Sequence, residues 1–229
     1  MLVNSSTNVK VSLALSGVIL AVIVGFIVTA VLQAPSSPSA ADAGSAGDAV
    51  PAPVSVLQPD THILDDAGEG AVVVVEFLDF ECEACGAFYP VVEDLREEFE
   101  GDVTFAFRYF PLPGHVNSTN AALAVEAAAQ QGELEAMYDL MYETQAEWGE
   151  SQDSKAELFR GYASNLGLDL AAYDAAVAAP ETLERVNSDF EAGVALGVPS
   201  TPTFFVNNRP LELRSLDDLR TAIEGELDR

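Results

Sequence analysis

The chain has 229 residues and is strongly acidic, with 37 Asp and Glu against 10 Lys and Arg and a formal net charge of −27 at pH 7. This charge disfavours binding to the phosphate backbone of nucleic acids, and a hydrophobic content of 49% excludes disorder throughout the chain. The two cysteines are separated by only two residues, which excludes a small disulfide-rich scaffold. The cysteine pair therefore points to chemistry rather than to cross-linking.

The amino-terminal part contains a long apolar segment. Residues 11–32 are 22 positions without a charge, and a helix of that length reaches roughly 33 Å at about 1.5 Å per residue. The segment predicts a single-pass membrane anchor, with residues 1–10 as a cytoplasmic tail. A cleavable signal peptide is the alternative, although its apolar region is usually only about 7–15 residues long. The positive charge of Lys10 before the segment places the rest of the chain outside the cytoplasm.

The segment after the anchor has the composition of a tether. Of the 25 residues from 33 to 57, 18 are Ala, Gly, Ser or Pro, which leaves too few apolar side chains to bury a core. Residues 58–229 then have the length of one domain. Because most of the acidic residues lie in that domain, its charge is most simply that of a solvated surface.

A predicted buried strand precedes the cysteine pair. Residues 71–78, AVVVVEFL, form an apolar run broken only by Glu76, which is typical of a central strand covered on both faces. The motif Cys-Glu-Ala-Cys at 82–85 follows, and apolar residues at helical spacing come after it. Cys82 would then lie at a helix N-terminus, where unpaired N–H groups stabilise a thiolate. Cys85 is within reach to form an exchangeable disulfide with it.

The order of strand, cysteine pair and helix resembles the thioredoxin superfamily, and specifically its extracytoplasmic DsbA-like branch, over residues 58–229. Pro90 falls where the first helix of that family is kinked. Residues 198–206, VPSTPTFFV, resemble the cis-proline loop of the family and the strand after it, with Thr201-Pro202 as the cis peptide bond. The resemblance implies an α/β fold: a thioredoxin fold with an inserted helical subdomain, here at about residues 116–196.

The remaining patterns agree with that architecture. Residues 103–109 alternate like a strand, and residues 118–195 have helical periodicity with breaks near Gly149, Gly167 and Pro180. Residues 209–213 predict a last hairpin strand after an Asn-Asn turn, and Ser-x-x-Asp at 215–218 predicts the start of a closing helix.

The resemblance implies a protein thiol–disulfide oxidoreductase that needs no cofactor and no metal. Cys82 and Cys85 would be the redox pair, and Glu76 would be the buried acid that exchanges a proton with Cys85. Thr201 and Pro202 would align the backbone of a substrate beside Cys82. The expected reaction is disulfide formation in reduced exported proteins. The expected redox partner is a DsbB-like or a vitamin-K-epoxide-reductase-like membrane protein.

Three further residues near the motif are candidates for binding and tuning. Phe80 would provide apolar surface for substrate chains, and Glu83 and Ala84, between the cysteines, would tune the redox potential. Strongly oxidising members of the family carry a histidine in this motif, where this chain has Glu83. Since a negative charge raises the pKa of a nearby thiol, we expect Cys82 to be less acidic, and the couple less oxidising, than in those relatives.

The same residues are also compatible with different roles. The cysteines could belong to a metal site, Glu76 could face solvent at a strand edge, and His115 could lie on a surface loop or beside the dithiol. Reduction or isomerisation of extracytoplasmic disulfides, or a binding module with a passive disulfide, are the alternative functions.

Overall fold

A five-stranded mixed sheet forms the centre of residues 55–229, the part of the chain that the computed structural model describes. The strands are β1 (His62–Asp65), β2 (Val72–Leu78), β3 (Val103–Tyr109), β4 (Thr203–Val206) and β5 (Arg209–Pro210), in the order β1-β3-β2-β4-β5. Strands β2 and β3 are parallel, and the other neighbouring pairs are antiparallel. The buried run predicted before the cysteine pair is thus the central strand β2.

The amino-terminal predictions fall outside this region. The cytoplasmic tail, the anchor and nearly all of the linker lie within residues 1–54, beyond the described residues. Among residues 55–229, no helix combines the length and the apolar character needed to cross a membrane.

Two helices cover one face of the sheet. Helix α1 (Glu83–Glu98) connects β2 to β3, and the last helix, α8 (Asp218–Leu227), follows β5. The side chains that form this layer of the core are Val72, Val74, Val92, Leu95, Val103, Phe105, Phe204, Val206, Leu219 and Ile223. Because side chains alternate along a strand, Glu76 lies on this same face of β2, toward α1.

The helices between β3 and β4 form the insertion that the resemblance implies. They are α2 (Ser118–Ala129), α3 (Leu134–Glu143), α4 (Gln145–Trp148), α5 (Ala156–Asn165), α6 (Leu170–Ala178) and α7 (Pro180–Ala195). The hydrophobic core of the insertion continues to the end of the sheet where β2 leads into the cysteine motif, through Leu78, Phe80 and Phe107. The insertion therefore packs directly against the segment that holds Cys82.

A buried ion pair joins the insertion to the sheet. Arg108 on β3 donates through Nε to Asp189 on α7 at 2.6 Å, and the two side chains are 1% and 0% exposed. Asp189 also accepts the backbone N–H of Tyr109 and pairs with Arg185 at 2.7 Å. Burying a charge is costly without a partner, so these contacts make α7 and β3 depend on each other.

The carboxyl-terminal elements differ in detail from the prediction. Asn207 and Asn208 form the turn with φ of 48° and 63°, the conformation of a tight hairpin turn. Strand β5 ends at Pro210, earlier than predicted, although the Leu211 N–H still donates to the Phe204 carbonyl at 2.8 Å. The closing helix begins at Asp218, later than the Ser-x-x-Asp pattern predicted, and its N-cap residue is Asp217 without a side-chain cap. The carboxylate of Asp218 accepts both the backbone N–H and the hydroxyl of Ser215.

Candidate redox site

Cys82 is the residue immediately before α1. Its backbone is extended, with φ of −73° and ψ of 120°, and the helix begins at the next residue. A turn places it there, because its N–H bonds to the carbonyl of Asp79 at 3.1 Å and its own carbonyl accepts the N–H of Gly86 at 3.1 Å. The first N–H groups of α1 have no partner within the helix, so they are available to the Cys82 sulfur.

The two cysteines are free thiols in different environments. Cys82 is 8% exposed, whereas Cys85 is 1% exposed. The hydrogen bond from Cys85 is the main reason that the pKa of Cys82 falls from its ordinary 9.0 to about 5. Burial opposes this change, and Thr201 and the N–H groups of Cys85 and Ala84 add to it. Burial, followed by the hydrogen bond to Cys82, raises the pKa of Cys85 well above its ordinary value. The pair thus has one stabilised thiolate and one thiol that stays protonated.

The loop before β4 lies against this pair. The Thr201-Pro202 peptide bond is cis, as the resemblance implied, and the Cys82 thiol lies 3.4 Å from the Thr201 carbonyl oxygen. The Thr201 hydroxyl is buried. Pro202 is half-buried and faces a cleft of about 600 Å³. The residues that line this cleft are Gly197, Pro199, Ser200, Pro202, Thr203, Pro210, Leu211, Glu212, Leu213 and Arg214.

Glu76 is a buried acid on the central strand. Its neighbours across the sheet are Phe107 on β3 and Phe204 on β4, and it is 5% exposed. Burial is the main reason that its pKa rises from 4.5 to about 8, and the charges of Cys82 and Glu93 add to the effect. The possibility that Glu76 faces solvent at a strand edge is therefore wrong. Its carboxyl group is neutral near pH 7.

Asp79 and His115 form an ion pair that the sequence did not reveal. Asp79 is buried, and its carboxylate accepts the backbone N–H groups of Glu81 and Leu112 at 2.9 Å each and contacts His115 Nδ1 at 2.6 Å. Burial lowers the pKa of His115, but the hydrogen bond and charge of Asp79, with the charge of Cys82, raise it above 6.5 overall. His115 is therefore part of the surroundings of the cysteine pair.

A second buried acid connects the motif to the insertion. The carboxylate of Glu81 accepts the backbone N–H of Asn117 at 2.5 Å. Asn117 is fully buried, and its side chain holds the loop before α5 through Ser151, Asp153 and Lys155. The acids just before Cys82 are thus bound by hydrogen-bond donors, which limits the effect of their charge on the thiolate.

Gln145 of helix α4 also contacts the motif. Its side-chain amide donates to the carbonyl oxygens of Phe80 at 2.7 Å and Cys82 at 2.9 Å. A Cβ atom at Gly86 would lie 2.1 Å from the Gln145 Oε1 atom, so this contact requires glycine there. No local pattern in the sequence relates Gln145 to residues more than 60 positions away.

Phe80 does not have the surface position that substrate binding needs. It is 1% exposed and packs in the core against Phe107, Tyr109, Tyr138 and Tyr142, with ring centroids 5.1–6.4 Å away. Aromatic side chains form a continuous core from β3 into the insertion, and Phe80 is part of this core. Glu83 and Ala84 are both exposed beside Cys82, where a tuning role for them stays a prediction.

Hydrogen bonds set the acidity of Cys82 in this structure. Its pKa of about 5 is far below the ordinary value, because hydrogen bonds to the sulfur outweigh the effect of burial. The comparison with histidine-bearing relatives stays a prediction. Within residues 55–229, no group of three or more His, Cys, Asp or Glu side chains is placed to hold a metal ion.

Known proteins of similar sequence carry the same domain. The family model described as Thioredoxin matches residues 67–225. The chain belongs to the thioredoxin family. Among solved structures, a thioredoxin-like oxidoreductase from Silicibacter pomeroyi DSS-3 is 26% identical, has a TM-score of 0.63 and is covered over 95% of its length, with 75% of this chain aligned. BdbD from Bacillus subtilis is 22% identical and has a TM-score of 0.63. The alignment includes 74% of this chain and 94% of BdbD. Wolbachia pipientis α-DsbA1 is 18% identical and has a TM-score of 0.66. The alignment includes 75% of this chain and 93% of α-DsbA1. The similarity to α-DsbA1 shows that the fold is DsbA-like.

The curated relatives are larger proteins. A protein named Na(+)/H(+) antiporter NhaA from Herminiimonas arsenicoxydans is 34% identical over 166 residues, which is 72% of this chain and 25% of the relative. Na(+)/H(+) antiporter NhaA 3 from Salinispora tropica is 37% identical over 154 residues, or 67% and 22% of the two chains. The chain thus spans about a quarter of the length of these relatives.

Proposed function

We propose that this protein is a membrane-anchored extracytoplasmic thiol–disulfide oxidoreductase that forms disulfide bonds in exported proteins. The observation that carries the proposal is the asymmetry of the cysteine pair. Cys82 has a pKa of about 5 and borders the cis-proline loop, while Cys85 is buried and has a raised pKa. A stabilised Cys82 thiolate favours the reduced form of the pair, which makes the oxidised form an effective donor of its disulfide.

The reaction consists of two exchanges of a sulfur–sulfur bond. A substrate thiolate attacks Cys82 in the Cys82–Cys85 disulfide, the bond between the two enzyme sulfurs breaks, and Cys85 leaves with the electron pair. A second substrate thiolate then attacks the substrate sulfur of the mixed disulfide and displaces Cys82 as a thiolate. The substrate loses two electrons and gains a disulfide, and the enzyme ends as a reduced pair. The low pKa of Cys82 makes it a good leaving group in the second step.

Glu76 supplies the proton that the first step needs. Cys85 leaves as a thiolate in a buried environment that strongly disfavours its charge. Since Glu76 has a pKa of about 8, it is protonated near pH 7 and can transfer a proton to Cys85. Glu76 then recovers a proton from solvent.

The cis-proline loop and its cleft would hold the substrate. The Thr201 carbonyl is 3.4 Å from the Cys82 sulfur, so a chain bonded to that sulfur must pass along this loop. The cleft beside Pro202 combines apolar side chains with the charges of Glu212 and Arg214. We therefore assign substrate alignment to Thr201 and Pro202.

Oxidation of a reduced client protein tests the activity. The full chain, purified in detergent, is oxidised and mixed with a reduced and denatured secreted protein, and free thiols are counted with time. We expect rapid loss of client thiols, no activity for Cys82→Ser, and a mixed disulfide trapped by Cys85→Ser with an oxidised client. Equal rates for wild type and Cys82→Ser would exclude the activity. Equilibration with a glutathione buffer gives the direction, and a couple more reducing than glutathione would indicate a reductase.

The amino-terminal segment would keep the domain next to the membrane. We assign residues 1–10 to the cytoplasm, 11–32 to the anchor and 33–57 to the tether, and relatives named as antiporters support a membrane location. A tethered enzyme meets a membrane partner at a raised effective concentration. A quinone-linked DsbB-like or vitamin-K-epoxide-reductase-like protein would reoxidise it. Release of the chain from membranes by alkaline carbonate would contradict the anchor.

A further inference from the structure

The contact between Gln145 and the redox motif is unusual for a residue of the helical insertion. One side-chain nitrogen donates to two main-chain carbonyls, those of Phe80 and Cys82, and Gln145 is only 9% exposed. The Phe80 carbonyl lies in the turn before α1, and the Cys82 carbonyl also accepts the N–H of Gly86. The amide of Gln145 therefore fixes the main chain at Phe80, two residues before the reactive cysteine, and at Cys82 itself.

The chain makes room for this amide in α1. Glycine is a poor helix former, yet Gly86 lies in the first turn of α1, where alanine would be the better residue. A Cβ there would meet Gln145 at 2.1 Å (Oε1) and 2.9 Å (Cδ), closer than side-chain atoms approach. The helix thus has a glycine at the point where the carboxamide lies against it.

Gln145 is not needed to anchor α4. Trp148 in the same helix is fully buried and packs edge-on against Phe159, with ring centroids 4.8 Å apart. This apolar contact holds α4 within the insertion independently of the Gln145 amide. The polar contact of Gln145 is directed instead at the motif.

We propose that Gln145, which belongs to the helical insertion, is a positioning residue that keeps the Cys82 thiolate stable. The Cys82 sulfur is stabilised in part by the N–H groups of Ala84 and Cys85, which point at it only while the turn before α1 keeps its shape. Gln145 fixes that shape at the Phe80 and Cys82 carbonyls. Its N–H groups also offset the negative ends of two carbonyl dipoles beside the thiolate. The proposal deepens the redox function proposed above and rests on it for its biological meaning.

Three variants separate positioning from simple packing. Gln145→Met keeps the length of the side chain and removes both donors. Gly86→Ala keeps Gln145 but displaces its carboxamide, and intrinsic helix propensity by itself would make this variant more stable. Gln131→Met is the matched control: Gln131 also lies in the insertion and donates to a main-chain carbonyl, that of Asp169 at 3.2 Å, but it is not among the residues that contact the motif.

The readout is the pKa of Cys82 in the full reduced chain, measured from the rate of alkylation against pH with the modified residue identified by mass spectrometry. We expect the pKa to rise by about 0.5 to 1 unit in Gln145→Met and in Gly86→Ala, because misalignment of the Ala84 and Cys85 N–H groups costs the thiolate about one net hydrogen bond, and to stay unchanged in Gln131→Met. The glutathione equilibrium of the first two should move by about threefold to tenfold toward the oxidised enzyme.

The outcomes are distinct from those for the activity itself. Circular dichroism and the unfolding midpoint show which variants are folded at the temperature of the measurement. A Cys82 pKa that stays within about 0.2 units of wild type in whichever of the two variants is folded overturns the proposal, since one lost hydrogen bond predicts more. The proposal predicts that at least one of them folds, because Trp148 anchors α4, so failure of both to fold also overturns it. The pKa is measured without a client, so an inactive enzyme leaves this result intact.

Discussion

Replacing Glu76 by glutamine tests how strongly the buried acid acts on the stability of the fold. Burial raises the pKa of Glu76 from 4.5 to about 8. The folded chain therefore holds the proton more tightly than the unfolded chain does. Between these two pH values the unfolded chain gains free energy by ionising, so stability falls as pH rises. Glutamine has a similar shape and does not titrate.

The size of the effect follows from the pKa values. Each unit of pKa difference corresponds to about 1.4 kcal/mol. At pH 7, ionisation of the unfolded chain has proceeded about 2.5 units beyond 4.5, so Glu76 reduces the free energy of unfolding by up to about 3 kcal/mol. We expect Glu76→Gln to be more stable than wild type by as much as this near pH 7. The difference should vanish below about pH 4 and reach its full value above pH 8.

Urea unfolding of the full chain at several pH values measures this difference. Both chains carry Cys82→Ser and Cys85→Ser, so that thiol titration does not contribute and burial, the main cause of the shift, remains. Glu69→Gln, at an exposed position before β2, is the control and should show almost no effect. A Glu76→Gln variant that is less stable at pH 7, or equally stabilised at pH 4 and pH 8, would refute the reasoning.

Two further substitutions test the polar contacts around the sheet. The pKa of His115, raised by Asp79, should lie above 6.5 in an NMR titration and fall in Asp79→Asn. Because the proton is held more tightly in the folded state, the stabilisation by His115 should be largest below about pH 6.5 and disappear above its folded pKa; a flat pH dependence contradicts this. Arg108→Met should lower the free energy of unfolding by about 1.5–3 kcal/mol, since it removes one of the hydrogen bonds to buried Asp189 while Arg185 remains as a partner. Arg160→Met, at an exposed ion pair, should have almost no effect, and equal losses for the two variants would contradict the effect of burial.

The local features of the redox site were readable from the sequence. An apolar run of β-branched residues favours a buried strand, and the cysteine spacing with helical periodicity after it puts Cys82 at a helix start. These features depend on residues only a few positions apart, so the local sequence is enough to predict them. The same holds for the Asn-Asn turn and for the hydrogen bonds between Ser215 and Asp218 before the last helix.

The tertiary structure decided which distant residues surround the sulfur. Gln145, His115 and Asn117 reach the motif only because the insertion and the loop after β3 fold back onto it. Their positions depend on the packing of helices across the end of the sheet, for which no local period exists. The same packing buries Phe80. The pKa of Cys82 falls despite the acids beside it, mainly through its hydrogen bond with Cys85. A count of nearby charges predicts the opposite direction, because it omits the hydrogen bonds that only the folded chain makes.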